Sequence, residues 1–271
     1  MSELRVENLS RRFGGLFAVD GVSFHVESGE RRAIVGPNGA GKTTLFNLIS
    51  GEISPTAGEI YLQGKNITGA RPHERARLGM GRTFQRNNCF PSLSVFENVS
   101  LAVQQRRGCA RRFWRSLRRF GSVLEETTEV LEQFELTSYA EVSAWNLSYG
   151  VQRQVEVAVA AALRPRILLL DEPTAGMSPS ETLHMVKFVE RLPRSITVLI
   201  IEHDMDVIFS LADSVTVLHF GRVIADGSPK EVKGSPEVQA IYFGEEEEAY
   251  AHNQGKSVKS SGEGAQAGGQ G

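Results

Sequence analysis

Residues 36–44 read Gly-Pro-Asn-Gly-Ala-Gly-Lys-Thr-Thr, and this stretch matches the phosphate-loop pattern Gly-x-x-x-x-Gly-Lys-Thr. The apolar run Ala-Ile-Val at 33–35 comes before it, and the run Leu-Phe-Asn-Leu-Ile at 45–49 follows it with helical character. A buried strand, a glycine turn and a helix start place successive backbone N–H groups around one point, which suits a polyphosphate anion. The stretch therefore predicts nucleotide binding; the alternative is an ordinary glycine-rich loop.

Two side chains of this loop have distinct predicted roles. Lys42 is expected to reach the β- and γ-phosphates and to contribute to catalysis, and the Thr43 hydroxyl is expected to bind Mg²⁺. A lysine about 4 Å from a phosphate oxygen gains roughly 4 kcal/mol per unit charge at an effective dielectric of about 20. The predicted phosphate-binding residues are Gly36, Pro37, Asn38, Gly39, Ala40, Gly41, Lys42, Thr43 and Thr44.

The composition is that of a soluble globular protein, with 41% hydrophobic and 23% charged residues among 271. That length suits one large α/β domain, or a core with a small subdomain. No run of about 18 apolar residues is present and the N-terminus lacks an apolar leader, so the sequence predicts neither a membrane span nor a signal peptide. The two cysteines, Cys89 and Cys109, have no metal-ligand spacing, which fits a reducing cytosol.

The first third of the chain has the alternation of half-buried strands around glycine turns. The antiparallel strands expected there lie at 4–9, 17–19, 22–26, 58–62 and 65–67. From about 72 to 162 the periodicity is helical. The pattern therefore predicts a β-rich region that is followed by a helical region.

The second half of the chain alternates strands with helices. Continuous apolar runs at 166–170 and 196–201 are typical of buried parallel strands. A further strand is expected at 214–218 and helices at 183–192 and 204–211. A phosphate-loop strand followed by this alternation indicates a doubly wound, mainly parallel sheet. The end of the chain, 245–271, has almost nothing to bury and is expected to be disordered.

A pair of acids, Asp171-Glu172, ends the first of these buried runs and precedes Pro173. An acid that ends a buried strand points into the crevice where ligands bind in open α/β folds. Asp171 is expected to hold the Mg²⁺ shell, and Glu172 to act as the general base on the attacking water, a role typically worth about 10²–10⁴-fold in rate. The alternative is a pair of solvated charges after a strand.

A second anion site is predicted at Leu147-Ser148-Tyr149-Gly150-Val151-Gln152, a small-residue turn that leads into a helix. Two anion sites and one nucleotide per chain are reconciled by symmetry. In a head-to-tail dimer, Ser148 and Gly150 of one chain would cap the nucleotide that is bound to the other.

Five motifs in one order resemble the ATP-binding subunit of ABC transporters over residues 3 to about 244. They are the phosphate loop, Gln85 at the end of Gly-Arg-Thr-Phe-Gln, the Leu-Ser-Tyr-Gly turn, Asp171-Glu172, and His203 in Ile-Glu-His-Asp. The resemblance implies an α/β fold of the P-loop NTPase (RecA-like) class, with an N-terminal antiparallel β subdomain and an inserted α-helical subdomain at about 86–163. It implies an ATP-hydrolysing domain over 1–244, with ATP and Mg²⁺ as cofactors.

The same resemblance implies roles for three further residues. Gln85 would touch Mg²⁺ or the attacking water and sense a membrane subunit. His203 would bond the γ-phosphate and hold the catalytic geometry, and Phe13 would stack on adenine. The alternatives are a structural histidine at 203 and a core aromatic at 13.

The chain departs from the commonest family pattern at three positions. Tyr149 stands where glycine is usual, and Val151 replaces the usual Gln or Glu. Ser178 takes the position of an aspartate in the segment Ala-Gly-Met-Ser at 175–178, which leaves its cross-dimer role open.

Several segments resemble one branch, the bacterial uptake systems for branched-chain and other hydrophobic amino acids, and in particular the larger of their two ATPase subunits. These segments lie at 77–85, 90–99, 175–177 and 236–244. The ATPases of importers of urea, amides or short-chain acids resemble these segments too, and the lipopolysaccharide-export ATPase does so less closely. The resemblance implies a second ABC ATPase subunit, two transmembrane permease subunits and, indirectly, an external solute-binding protein as partners, with no nucleic acid. It implies a peripheral location at the cytoplasmic face of the inner membrane.

Two rival functions remain at this point. A soluble ABC ATPase that acts on DNA or ribosomes usually carries a long coiled coil or two ATPase halves, and this chain has neither. A phosphate-loop kinase would need an acceptor site and a lid, and it would not need the Leu-Ser-Tyr-Gly turn or His203.

An arginine-rich stretch at 104–120 has Phe113, Leu117 and Phe120 at helical spacing. We expect a basic amphipathic helix near the anionic membrane surface or the permease. The alternative is a solvated positive face.

Overall fold

The computed structural model describes residues 2–83, 89–108 and 121–241, which form two sheets flanked by helices. The smaller sheet has four antiparallel strands in the order β2-β1-β4-β5. Its strands are β1 (Ser2–Phe13), β2 (Leu16–Glu27), β4 (Ala57–Leu62) and β5 (Lys65–Asn66). This sheet is the predicted N-terminal antiparallel subdomain.

The larger sheet has six strands in the order β10-β9-β3-β8-β7-β6. Its strands are β3 (Arg31–Val35), β6 (Met80–Arg82), β7 (Ile167–Asp171), β8 (Thr197–Ile201), β9 (Ser214–His219) and β10 (Arg222–Gly227). All neighbours pair in parallel except β9 and β10, which form an antiparallel hairpin. Strands β3, β7 and β8 are buried along their whole length, and β7 and β8 read as nearly continuous apolar runs, as predicted.

Helices connect the strands and cover the larger sheet. They are α1 (Lys42–Ser50), α2 (Pro72–Arg77), α3 (Val95–Arg106), α4 (Gly121–Gln133), α5 (Tyr149–Ala162), α6 (Pro179–Glu190), α7 (Met205–Leu211) and α8 (Pro229–Lys233). Helices α3, α4 and α5 pack on one another between β6 and β7 in chain order, where the helical subdomain was expected. Within the described ranges, no helix combines the length and apolarity that a membrane crossing needs.

Apolar cores lie on both faces of the larger sheet. One joins α3–α6 to β7 and β8, and includes the stacked rings of Phe134 and Phe188. The other joins the antiparallel sheet to α1 and includes the fully buried Phe46. Cutting either Phe46 or Phe188 to alanine would cost about 3–5 kcal/mol. Helix α1, which follows the phosphate loop, is therefore fixed by the core between the sheets.

A buried arginine of α2 caps the C-terminus of α1. Arg75, 1% exposed, donates to the carbonyl oxygens of Leu48 and Ile49 at 2.7 and 2.6 Å and to those of Thr68 and Ala70. Burial lowers the pKa of its guanidinium to about 10. The guanidinium thus donates hydrogen bonds to carbonyl groups at the C-terminus of α1, where the helix itself provides no donors.

Three expectations about the described elements were wrong. The helical stretch predicted for 72–162 is interrupted by β6, a three-residue edge strand that is too short to leave a periodic pattern. The pieces at 17–19 and 22–26 are one strand, β2, which pairs with β1 through register shifts. The hairpin partner β10 and helix α8 were not predicted.

The basic helix expected over 104–120 is also corrected. Helix α3 ends at Arg106, and Gly108 has a φ of 69°, a left-handed conformation that ends a helix. Arg106 and Arg107 both pair with Glu126 on α4, and although burial raises the pKa of that carboxyl, the guanidinium groups outweigh burial and leave the pKa lowered. These two arginines therefore hold α3 against α4. Residues 109–120 and the predicted disordered tail, 245–271, lie outside the described residues.

Candidate functional site

The phosphate loop leaves the carboxyl end of β3, a central strand of the larger sheet, and enters α1 at Lys42. Gly41, the residue before the helix, has a φ of 102°, and a Cβ there would overlap the carbonyl oxygen of Ala18 on β2. Gly36 is packed as closely against the carbonyl of Leu218 on β9. Glycine is required at both positions because neighbouring backbone fixes the loop from two sides.

The Lys42 side chain lies inside the loop. Its Nζ donates to the carbonyl oxygens of Gly36 at 2.6 Å and Pro37 at 3.0 Å. Burial lowers the pKa of the ammonium, and the negative charge of Glu172 opposes that shift. The structure thus brings together Lys42 and Glu172, two residues that are 130 positions apart in the sequence. Asn38, Gly39 and Thr43 are exposed around the ammonium, where a phosphate can approach.

A brace from the β9–β10 hairpin steadies the loop. The Gly221 N–H donates to the Ala40 carbonyl at 2.9 Å, and the Asp20 N–H donates to the Gly221 carbonyl at 2.8 Å. The hairpin tip therefore bonds both the phosphate loop and β2. The tip of this hairpin is Phe220-Gly221, a pair for which the sequence predicted no role.

Phe13 lies at the tip of the β1–β2 hairpin and is 48% exposed. Arg11 lies over one face of its ring, 4.6 Å from the centroid. The ring is therefore not in a core, and the same hairpin reaches Gly41 of the phosphate loop through Ala18. The position is compatible with stacking on a base, which remains a prediction.

Asp171 ends β7 and is buried. Its Oδ2 accepts from Arg82 Nη2 at 3.2 Å, while Oδ1 has no hydrogen-bond partner within the described part of the chain. Burial raises the pKa of this carboxyl, and the neighbouring Arg82 opposes the shift. Arg82 also donates from Nη1 to Asn47 at 2.9 Å and Ser50 at 2.7 Å on α1. Arg82 thus joins Asp171 to the helix that follows the phosphate loop.

These residues fit a magnesium ion. A buried carboxylate oxygen without a partner is expensive unless a cation or water satisfies it. The described residues include no cluster of three or more His, Cys, Asp or Glu side chains that could hold a metal by themselves. That suits Mg²⁺, which is usually bound by one or two protein groups together with waters and substrate phosphates.

Glu172 follows Asp171 in a left-handed backbone conformation, with a φ of 45°. Its N–H donates to the Ile201 carbonyl at 2.9 Å, so the turn is fixed to β8. Such a conformation costs a residue with a side chain about 1–2 kcal/mol, and strain of this kind clusters at functional sites. Glu172 is half-buried at the carboxyl edge of the sheet.

His203 stands two residues beyond β8 and is exposed, and no core contact explains its position. The preceding Glu202 is fully buried, and burial raises the pKa of its carboxyl. Glu202 accepts from the Thr174 N–H at 3.0 Å and the Thr174 hydroxyl at 2.7 Å, which lie just after Glu172. It therefore ties the loop that carries His203 to the loop that carries Glu172.

Ser148 and Gly150 lie at the start of another helix, α5. Ser148 is the exposed N-cap residue of α5, and its side chain caps none of that helix's N–H groups. Gly150 is buried against Glu181 of α6. Gln85, predicted to contact Mg²⁺ and the nucleotide, lies outside the described residues.

Sequence reasoning missed the roles of three charged residues: Arg82, Glu181 and Glu202. Arg82 stands in the quoted Gly-Arg-Thr-Phe-Gln motif, and Glu202 stands beside His203. Both are charged residues at the end of a strand and inside or beside a motif, a signal that could have singled them out. Glu181 had no comparable signal, because its partner Gly150 is distant in sequence.

A glycine loop that enfolds a lysine, and a buried acid at the end of another parallel strand of the same sheet, define a P-loop nucleoside triphosphatase. The family profile described as "ABC transporter" matches residues 19–175, and one described as "Branched-chain amino acid ATP-binding cassette transporter" matches residues 222–248. The chain belongs to the ABC transporter family, as a nucleotide-binding, ATP-hydrolysing subunit of an importer.

Relatives span nearly the whole folded part. The chain is 41% identical over 251 residues to the high-affinity branched-chain amino acid transport ATP-binding protein BraF of Pseudomonas aeruginosa, covering 89% of this chain and 98% of that protein. It is 37% identical over 249 residues to LivG of Escherichia coli, with the same coverage. The structure of the ADP conformation of MJ1267, an ATP-binding cassette of an ABC transporter, superposes with a TM-score of 0.78 at 33% identity, over 90% of this chain and 99% of that one. The predicted family and fold are confirmed.

Proposed function

We propose that this chain hydrolyses ATP to drive import of branched-chain or other hydrophobic amino acids through permease subunits in the membrane. The observation that carries the proposal is the grouping of Lys42, Asp171, Glu172 and His203 at one sheet edge, with the Ser148 turn exposed elsewhere on the same chain. The solute class is supported by the profile match at 222–248 and by the names of BraF and LivG.

The chemistry follows from the positions of the side chains. The ammonium of Lys42 binds the β- and γ-phosphates of ATP, and Glu172 accepts a proton from the attacking water. His203 bonds the γ-phosphate from the adjacent loop. Phe13 stacks on the adenine from the hairpin beside the phosphate loop.

Asp171 and Thr43 would hold Mg²⁺, together with Gln85. The ion supplies charge neutralisation at the β- and γ-phosphate oxygens. Asp171 presents its unbonded oxygen, Oδ1, for this purpose, and Arg82 fixes the other oxygen. The metal site therefore extends to α1 through Arg82.

Two such subunits, identical or related, would clasp two ATP molecules. Since Ser148 and Gly150 lie apart from the phosphate loop of their own chain, a second subunit can bring its own turn to the γ-phosphate. Closure of the pair would pull on the membrane subunits, and hydrolysis would reset them.

The permease would dock beside Phe90 and Trp145, which is 75% exposed. A cavity of about 350 Å³ adjoins them, lined by Cys89, Pro91, Ala144, Trp145, Gln152 and Glu156. Exposed aromatic residues around a cavity are typical of protein contacts. Gln85 stands a few positions before this patch in the sequence, and the family resemblance implies that it senses the membrane subunit. In our proposal, this surface faces the cytoplasmic side of the membrane.

The test is uptake into vesicles that contain the transporter isolated through this chain. We expect ATP-dependent uptake of leucine, isoleucine or valine, and ATP hydrolysis that needs no phosphoryl acceptor. The Glu172→Gln variant should abolish uptake while the complex still forms. Uptake of urea or a short-chain amide instead would contradict the solute assignment, and acceptor-dependent turnover would indicate a kinase.

A further inference from the structure

The first turn of α5 is capped differently from the other serine-capped helices of the described chain. Ser94, Ser178 and Ser228 each form a capping box with a glutamate three positions later. After Ser148, that third position is Val151, which cannot reach back to the backbone. The N–H groups of this turn therefore need a cap from elsewhere.

The carboxylate of Glu181, on α6, lies against this turn. One carboxylate oxygen, Oε2, accepts from the N–H and hydroxyl of Ser178 at 2.9 and 2.8 Å. The other, Oε1, lies against Gly150, where an added Cβ would stand 2.9 Å away. Bonds from Ser178 and from the Gly150 N–H lower the pKa of Glu181, so the carboxylate is charged. A charged acceptor at a helix N-terminus makes a strong hydrogen bond.

A second contact joins the same two segments. Gly176 lies under the Tyr149 ring, where an added Cβ would be 3.8 Å from Cε1. Residues 175–178 and the turn at 148–150 are thus packed together, with Glu181 bonded to Ser178 and in contact with Gly150. The cavity beside them, about 450 Å³, is lined by Ser148, Gly150, Glu181 and His184 among others.

We propose that Glu181 is a positioning residue that sets the affinity of the α5 turn for the partner's triphosphate. It holds the Gly150 N–H in the free subunit, and the γ-phosphate displaces its carboxylate when two subunits close. This inference rests on the proposed function, because it requires the turn to face another subunit's nucleotide. It also gives a role to two departures from the family pattern: Val151 leaves the turn without its own cap, and Ser178 anchors the residue that supplies one.

The contact is tested first in the isolated chain, by hydrogen exchange of the Gly150 amide. Because helix-start amides lack intrahelical bonds, a bond to Glu181 would protect the Gly150 amide from exchange. We expect Glu181→Ala to raise the exchange rate of this amide about tenfold or more, on the order of a lost charge-assisted bond. Glu231→Ala, which removes a capping-box glutamate from α8, should leave it unchanged. Equal exchange in parent and Glu181→Ala would overturn the contact.

The functional arm uses Glu181→Gln in the assembled transporter. Glutamine keeps the capping box of α6 but carries no charge, so the γ-phosphate should displace it more easily. We expect the ATP concentration for half-maximal hydrolysis to fall about threefold or more at unchanged kcat, since charged bonds are roughly twice as strong as neutral ones. Glu231→Gln is the matched control and should equal the parent.

An unchanged or higher half-maximal concentration in Glu181→Gln would contradict the inference. A simple structural role would instead lower kcat or the yield of folded protein. If the parent complex hydrolyses no ATP, the proposed function fails, and amide exchange still decides the contact.

Discussion

Helices α1 and α5 begin in contrasting ways, although both N-termini are predicted to bind the same triphosphate. Before α1, the loop is braced by β2 and β9, and Lys42 is bonded inside it. Before α5, Ser148 is exposed, and the carboxylate of Glu181 on another helix lies against Gly150. The first site is assembled within one subunit, whereas the second is a surface held ready for a partner.

The starts of α1 and α5 also differ in the charged side chains around them. Lys42 and Arg82 supply positive charge around the phosphate loop, and Asp171 and Glu172 stand close by. At α5, the carboxylate of Glu181 lies against Gly150, and in our proposal an incoming phosphate displaces it. A nucleotide should therefore bind the α1 side first and the α5 side only on closure.

The largest expected effect is on the α1 side, at Glu172. Glu172→Gln removes the general base and should lower kcat about 10²–10⁴-fold while ATP still binds. Single-turnover hydrolysis and equilibrium ATP binding measure the two quantities. Glu190→Gln, at the end of α6, is the control. Normal hydrolysis by Glu172→Gln would show that the base is elsewhere.

Lys42→Ala tests whether the α1 side binds ATP without a partner. Loss of a charge worth roughly 4 kcal/mol at about 4 Å predicts ATP binding at least about a hundredfold weaker. Fluorescent-nucleotide titration of the isolated chain measures the Kd, and Lys65→Ala on β5 should match the parent. Micromolar affinity retained in Lys42→Ala would contradict the assignment of the loop.

Arg82→Met sharpens the comparison at the metal. Without Arg82, the orientation of Asp171 is lost, and second-shell changes of this kind typically cost about 10–100-fold in metal affinity. Competition of Mg²⁺ with Mn²⁺ in the nucleotide complex gives that affinity directly. Ser50→Ala, which removes one anchor of Arg82, should have a smaller effect in the same direction. Tighter metal binding in Arg82→Met would mean that the guanidinium only repels the cation.

The smallest effects come from a crossed pair of serine variants. Ser148→Ala should leave the free energy of unfolding unchanged, because its side chain caps nothing, yet lower transporter ATPase about tenfold through a lost bond to a charged phosphate. Ser228→Ala should cost about 1 kcal/mol of stability as a true cap and leave kcat unchanged. Urea unfolding and ATPase assays on both variants provide the measurements. The reverse pattern would place Ser148 among ordinary helix caps.

Much of this architecture could be predicted from local pattern. The buried strands β7 and β8 contain continuous apolar runs, and β3 ends in the apolar run 33–35, which the phosphate loop follows at once. Strand β6 could not be found, because three residues leave no periodicity and only pairing with β7 makes them a strand. The single strand β2 was split for a similar reason, since its register shifts break the alternation.

The residues of the candidate site likewise divide into those that local sequence predicts and those that it does not. Lys42, Asp171 and Glu172 stand in motifs whose spacing has a chemical reason, and the structure brings them together. Arg82, Glu202 and Glu181 act through partners that are 32, 28 and 31 positions away, at Ser50, Thr174 and Gly150. Contacts at that separation depend on the packed fold, so residue type alone could not reveal them.

The most direct test of the central claim is a structure of the Glu172→Gln variant with Mg²⁺ and ATP, paired with itself or with its companion ATPase. The account predicts that each γ-phosphate bound by Lys42 of one subunit contacts the serine turn of the other, with the carboxylate of Glu181 turned away from Gly150. A single subunit that encloses its nucleotide while Ser148 and Gly150 face solvent would contradict it.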